Sequence, residues 1–308
     1  MAESKFYYGG QAVIEGVTMR GKQNLVTAIR RPNGEIGLYP RKLSPLYTGR
    51  WRKTPLIRGV IALVESFALG IQTLMYSANI ALEEEETGLS GWGIWGIVLA
   101  SLAFAVGLFF LLPLFITNLF NTHLQNTVVF HLVEGIIRVA IFIAYIKIVT
   151  LMGDIKRVFG YHGAEHKVIN TYEAGDPLEV EYARKHSTAN PRCGTSFLFA
   201  VLILAILVFS VIGKPDIIIM ALSRVFLLPV IAALGYEFIY FTSRHCKNFL
   251  MKILLTPGLW LQALTTRQPD DSQLEVALAA FKKVIEKDQP ETIAEPVELA
   301  EAVQLPAD

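Results

Sequence analysis

The chain predicts a mainly α fold: a polytopic membrane helix bundle of about four spans plus an interfacial or re-entrant helix, with a small N-terminal β-hairpin and a C-terminal amphipathic helix. Three observations carry that expectation. The 308 residues are 53% hydrophobic and only 18% charged, more apolar than an ordinary soluble chain. The excess is gathered into a few long runs. Lysine and arginine are segregated to the connections on one side of those runs.

Residues 1–55 read as a cytosolic N-terminal segment. Its start, MAESKFYYGG, is polar and lacks the apolar core of a cleavable signal peptide. GGQAVIEGVTMRG (Gly9–Gly21) is glycine-rich and carries Glu15 and Arg20, but it is neither G-x-G-x-x-G nor a phosphate-binding loop. A tight backbone crossing is expected there, with the charged residues packed on a later cytosolic loop. Leu25–Arg31 and Glu35–Lys42 alternate in polarity around Pro32-Asn33-Gly34, which predicts a β-hairpin.

Residues 56–90 hold the apolar stretch Gly59–Leu82, interrupted by Glu65 and read as an interfacial or re-entrant helix. Residues 91–152 supply a first membrane pair: Ile97–Thr117, uncharged and able to cross about 30 Å of hydrocarbon, then Val128–Val149. Residues 153–196 form a cytosolic loop. Residues 197–243 supply a second pair, Phe197–Ile212 and Ile217–Thr242, joined through Lys214-Pro215-Asp216. In 244–287, cytosolic or interfacial helices are expected. Ser272 with Glu275 reads as a capping box, ahead of an apolar face of Leu274, Leu278, Phe281 and Ile285. Residues 288–308, acidic and proline-rich, read as a disordered tail.

Arg41, Lys42, Arg50, Arg52, Lys53 and Arg58 precede the first apolar stretch, and six further basic residues follow between Lys156 and Arg192. Asn118–Thr127 has no Lys or Arg. Four crossings place both basic groups and both termini in the cytosol, whereas a fifth through Gly59–Leu82 would export one group. Cys193 and Cys246 then lie in a reducing compartment and read as free thiols. A net charge of +1 gives no sign of a nucleic-acid partner; the bilayer is the expected one.

Charges inside the spans need partners. His131, Glu134 and Arg138 are three and four residues apart and share a helix face. Counting helical rise from the outer end, Glu134 and Arg224 sit at about 9 Å and about 10 Å, and Lys147 and Glu237 at about 28 Å and about 30 Å. Two interhelical ion pairs are therefore expected, Glu134 with Arg224 and Lys147 with Glu237. Their simplest role is to lock the bundle.

The chemistry-bearing stretch is HGAEH (His162–His166), an H-x-x-E-H pattern. On a helix the two imidazoles are one turn apart and converge on a common point, with Glu165 placed as a general base. A third ligand must come from elsewhere. Glu173 lies two turns further along the stripe; His186, Cys193 and Glu237 are better placed, and Glu237 is the expected ligand. Gly163 weakens the helix by about 1 kcal/mol. In NPRCGTSF (Asn190–Phe197), Cys193 beside Arg192 is also a candidate nucleophile. No G-x-S-x-G is present.

At GGQAVIEGVTMRG, YHGAEHKVINTYE, PRCGTSF and PGLWLQALTTRQPDDSQLEVA the chain resembles an uncharacterised bacterial family of YqhQ type, labelled a predicted metal-dependent membrane enzyme. The resemblance runs from Tyr7 to about Val284. It implies a divalent metal, zinc in the first place, the bacterial inner membrane, and motif positions Glu15, Arg20, His162, Glu165, His166, Glu173, Arg192, Cys193 and Glu237. The chain departs from the pattern at Thr18, where a second methionine is usual, and at Asn190, where a histidine is common. Members are often encoded near translation-factor genes, which implies a cytosolic or ribosome-linked partner. Two functional expectations follow: metal-assisted hydrolysis at a cytosol-facing site, or a non-catalytic membrane adaptor using the hairpin, the basic cluster and the C-terminal helix.

Overall fold

The computed structural model describes residues 6–81, 91–245 and 248–288. Cys246 and the expected acidic tail from residue 289 onward lie outside the described residues. The N-terminal segment builds more sheet than a hairpin. Strands β1 (Gly9–Val13), β2 (Gly16–Arg20), β3 (Asn24–Arg30) and β4 (Ile36–Lys42) form one antiparallel meander in that order. The expected hairpin is β3–β4, with Thr27 opposite Tyr39 and Gly34 in the turn at φ +89°. The missed hairpin is β1–β2, within the stretch read as a backbone crossing. Its tight turn places Glu15 at φ +51° between Val13 and Gly16. The usual Asn-Gly signal is absent there, which hid it.

After the sheet come α1 (Pro45–Thr48), a 3-10 turn (Arg50–Lys53) and α2 (Ile57–Ala81). Then α3 (Gly91–Val106), a π turn (Gly107–Leu111) and α4 (Leu112–Leu119) make one apolar rod. α5 (Thr127–Val149), α6 (Gly153–Ala174) and α7 (Val180–Lys185) follow, then α8 (Gly194–Ile212), α9 (Ile217–Phe226), α10 (Leu228–Arg244), α11 (Phe249–Thr265) and α12 (Asp271–Asp288). Among the described residues, α2, the rod and α8 are each long and apolar enough to cross a membrane. Two bent pairs raise the number to as many as five: α5–α6, turned by 104°, and α9–α10, turned by 49°.

α2 is a continuous helix of 25 residues. Its first turns pack on α10, where a Cβ on Gly59 would lie 3.0 Å from Ala233. Its remainder lies along the sheet. Gln11 Nε2 donates to Gly70 O at 3.2 Å, Ile14 N donates to Ser77 Oγ at 3.1 Å, and Arg41 Nη1 donates to Gln72 Oε1 at 2.7 Å. The opposite face exposes Ile57, Val60, Val64, Phe67 and Leu74 at helical spacing.

Two kinds of core result. Val17, Met19, Val26, Tyr161, Val168 and Phe281 belong to a core shared by the sheet, α6 and α12. A second, among the apolar helices, holds Phe110, Val201, Ala205, Phe209 and Ile231. α12 buries the face expected of it, Leu274, Leu278, Phe281 and Ile285. Each such side chain contributes about 1.5–3 kcal/mol by burial. Its capping box sits two residues earlier than the sequence suggested. Asp270 Oδ1 accepts from Gln273 N at 2.9 Å, and Gln273 Oε1 accepts from Asp270 N at 3.2 Å. Glu275 instead accepts from Arg30.

One of the two expected ion pairs forms. Glu134 Oε2 meets Arg224 Nη2 at 2.6 Å, and Glu134 Oε1 meets Arg138 Nη2 at 2.5 Å. His131 completes the cluster, with Nδ1 at 3.0 Å from Glu134 Oε2 and Nε2 donating to Gly213 O at 2.8 Å. The π turn presents Phe109 O to Arg138 Nε at 3.0 Å. The Lys147–Glu237 pair does not form. Glu237 is held by Arg58 and the Leu56 N–H, while Lys147 is exposed. The competing cation stands at the start of α2, a neighbour that helical depth alone could not reveal.

Candidate functional site

α6 carries HGAEH, and its two histidines are oriented from outside the helix. His162 Nδ1 donates to Thr265 O at 2.8 Å, and His166 Nδ1 donates to Thr188 O at 2.6 Å. A carbonyl accepts only, so each Nδ1 carries a proton and each Nε2 is the nitrogen left for a second partner. The rings lie 4.4 Å apart. Gly163 makes the first of these bonds possible. A Cβ there would fall 1.9 Å from Arg267 O, in the segment that brings Thr265 to His162. The glycine that weakens the helix is what lets this segment approach it.

Cys193 arrives from the start of α8. Gln262 clamps the preceding turn from α11, accepting from Asn190 N at 2.9 Å and donating to Asn190 O at 3.0 Å. Cys193 is the N-cap of α8, and Thr195 N donates to its Sγ at 3.4 Å. Sγ is 3.2 Å from His162 Nε2. One ligand atom from each of His162, His166 and Cys193 lies within 4.8 Å of the others. Burial works against charge on both partners, yet their mutual attraction outweighs it. The thiol's hydrogen bond and charge, with Glu165 behind, lift the His162 imidazole to about 9. His162 and His166 hold the Cys193 thiol well below its ordinary value. The largest of these pulls come from the two histidines rather than from the neighbouring Arg192.

Glu165 is 5% exposed and leans on β1, where a Cβ on Gly10 would lie 3.0 Å from its Cδ. Burial pushes its carboxyl up, against the pull of His166, His162 and the Gly10 N–H. Its Oε2 is buried and has no hydrogen-bond partner among the described residues. A cavity of about 650 Å³ opens in front of His162, Glu165, His166 and Cys193.

The other expected residues fall elsewhere. Glu237 lies outside the centre, spent on Arg58. Glu173 pairs with Arg192, and His186 Nε2 meets Asp176 Oδ2 at 2.8 Å. Glu15 holds Arg157 and accepts from Tyr161 at 3.2 Å, which docks the β1–β2 turn on α6. Arg20 Nε meets Glu65 Oε1 at 3.0 Å. Asn190 uses its side chain to accept from Arg192 N at 3.0 Å, so its role is to shape the turn. Thr18 Oγ1 bonds Thr27 Oγ1 across the sheet at 2.9 Å. Sequence reasoning missed the positioning groups Thr188, Gln262 and Thr265. Two of them act through main-chain carbonyls, which leave no residue-type signal.

Among the described residues, His162, His166 and Cys193 are the one cluster able to hold a metal ion. Their chemistry fits one: two imidazoles and a thiolate suit a borderline-soft divalent ion. The orphaned Glu165 oxygen is a buried acceptor awaiting a proton or donor at the same place.

The chain is 35% identical over 293 residues to a Bacillus subtilis (strain 168) protein described as "Uncharacterized protein YqhQ", covering 90% of this chain and 92% of that one. No solved structure matches it. A family model described as "Protein of unknown function (DUF1385)" matches residues 54–287, a span that takes in α2, the HGAEH helix and the Cys193 turn, and the chain belongs to that family.

Proposed function

We propose that the protein is a metal-dependent hydrolase at the cytosolic face of the bacterial inner membrane, with zinc held by His162, His166 and Cys193. One observation carries the reading. Two carbonyls fix the imidazoles so that their Nε2 atoms are left for the Cys193 side, beside a buried carboxylate oxygen with no hydrogen-bond partner among the described residues. When bound, the ion supplies Lewis-acid activation of water near neutral pH. Glu165 takes the water's proton and passes it to the leaving group. The hydroxyl bonds to the scissile carbonyl carbon as the bond to the leaving oxygen or nitrogen breaks. Its raised carboxyl suits a group that must hold and release a proton.

The membrane placement rests on four crossings: the α3–α4 rod, α5, α8 and the bent α9–α10 pair. α2 lies at the interface in this reading. Its hydrogen bonds to the sheet along Gly70–Ser77 favour that over a fifth crossing. Both termini and the centre then share the cytosolic side. A docking role for the C-terminal helix draws less support, since its apolar face is covered by the sheet and α6.

A second reading has its own observation: Cys193 as a thiolate nucleophile with His162 as partner, at the N-terminus of α8. Metal content separates the two. Full-length protein purified without chelator is expected to hold one zinc per chain. His166→Ala and Cys193→Ser are expected to lose it, and Glu237→Gln, outside the centre, to keep it. Metal-free wild type with a rapidly alkylated Cys193 would favour the nucleophile.

A further inference from the structure

The cavity does not end at the centre. It is also lined by Ala62, Ser66 and Leu69 of α2, Phe197 and Leu198 of α8, and Tyr236 of α10, which form an apolar wall. These helices are among the apolar ones, and Leu198 is 46% exposed. Phe67, next to Ser66 on α2, is exposed on the outer stripe of that helix. The apolar arm therefore adjoins the faces that lipid would cover.

Arg20, Arg52 and Arg192 line the same cavity. Glu65 is the carboxylate between the first two, meeting Arg20 Nε at 3.0 Å and Arg52 Nη2 at 3.2 Å. Two guanidinium groups facing one carboxylate leave one positive charge in excess. Arg192 is paired with Glu173 through Nη2, while its Nε is buried without a hydrogen-bond partner among the described residues. A bound anion would accept from such a donor.

We propose that the substrate is a membrane amphiphile: an anionic head group of phosphate type at Arg52 and Arg192, joined to a hydrocarbon chain lying against α2 and α8. The inference rests on the hydrolytic reading of the centre for its chemistry. The binding claim stands on the arginines and the apolar wall. A small phosphate would leave that wall uncovered, and a neutral lipid would leave the excess charge unmet.

The test uses full-length protein in neutral detergent, with zinc quantified in every sample. Native mass spectrometry counts bound phosphatidylglycerol, phosphatidylcholine and free glycerol phosphate. The expected result is one phosphatidylglycerol per chain, favoured over phosphatidylcholine by about tenfold. Ser66→Trp, filling the arm from an exposed position, and Arg52→Gln should each lower that occupancy about tenfold, with Arg52→Lys intermediate and zinc unchanged. Equal retention of the two lipids, binding untouched by Ser66→Trp, or glycerol phosphate binding as tightly as the lipid would overturn the inference. Selective lipid retention on a zinc-free wild type would uphold the lipid site and remove the hydrolase reading alone.

Discussion

His162 and His166 share a helix face because of their spacing, but what makes them a centre is the pair of carbonyls behind them. Outer-shell bonds of this kind fix ring orientation, and their loss costs about 10–100-fold in metal affinity. Gly163→Ala tests this without touching a donor atom. Its methyl would collide with Arg267 O and push Thr265 away from His162. Zinc affinity should fall by about 10–100-fold in a competition titration against a chelator, while the helical circular dichroism is kept. Unchanged affinity would mean the Thr265 bond does not orient the ring. The HGAEH pair and the carboxylate beside it were legible in the sequence, while Cys193 as the third member of the cluster was one candidate among several. Glu237 has the right chemistry and lies far along the chain, yet Arg58 takes it. Cys193 was visible as a candidate, and what decides for it is the Gln262 clamp on Asn190, a contact between segments 72 residues apart.

At the scale of elements, α12 shows how local signals and packing combine. The apolar face was readable from its period, while the cap was misplaced because Ser272 and Asp270 both suit an N-cap. Geometry selects Asp270, whose side chain reaches Gln273 N. Burial works against the Asp270 charge; the Ser272 hydroxyl, the Gln273 N–H and the nearby Arg157 hold its carboxyl below its ordinary value of 3.8. A depressed carboxyl contributes stability that is complete above the unfolded value and is lost as pH falls through the folded one. Asp270→Ala should therefore destabilise α12 by about 1 kcal/mol at neutral pH. The gap should narrow once the pH drops below 3.8. Hydrogen exchange of the amides of residues 274–278 measures it, and a gap independent of pH would contradict the charged cap. The β1–β2 hairpin is the opposite case. β2 is held by pairing with β3, and the turn by Glu15 on Arg157, a contact 142 residues along the chain that no local pattern shows.

At the scale of the molecule, the apolar helices and a polar body of sheet, α6 and α12 meet at the centre. The number of apolar runs was readable from composition, and the partner of Arg224 from helical depth. The path of α2 along the sheet was not, because an apolar run of that length fits a crossing as well as an interface. The proposed four-crossing arrangement would put the connection after α4 outside and α6 inside. Thr122→Cys should thus react with a membrane-impermeant maleimide on intact cells, and Lys156→Cys only after permeabilisation, both scored against wild-type background. The reverse pattern would place the centre on the far side of the membrane.

In the proposed centre, Cys193 completes the metal site with His162 and His166. X-ray absorption at the zinc edge of the purified full-length protein tests it most directly. One sulfur at about 2.3 Å and two imidazole nitrogens at about 2.0–2.1 Å are expected, with the sulfur shell lost in Cys193→Ser. A wild-type spectrum with no sulfur in the first shell, or one that Cys193→Ser leaves unchanged, would contradict it.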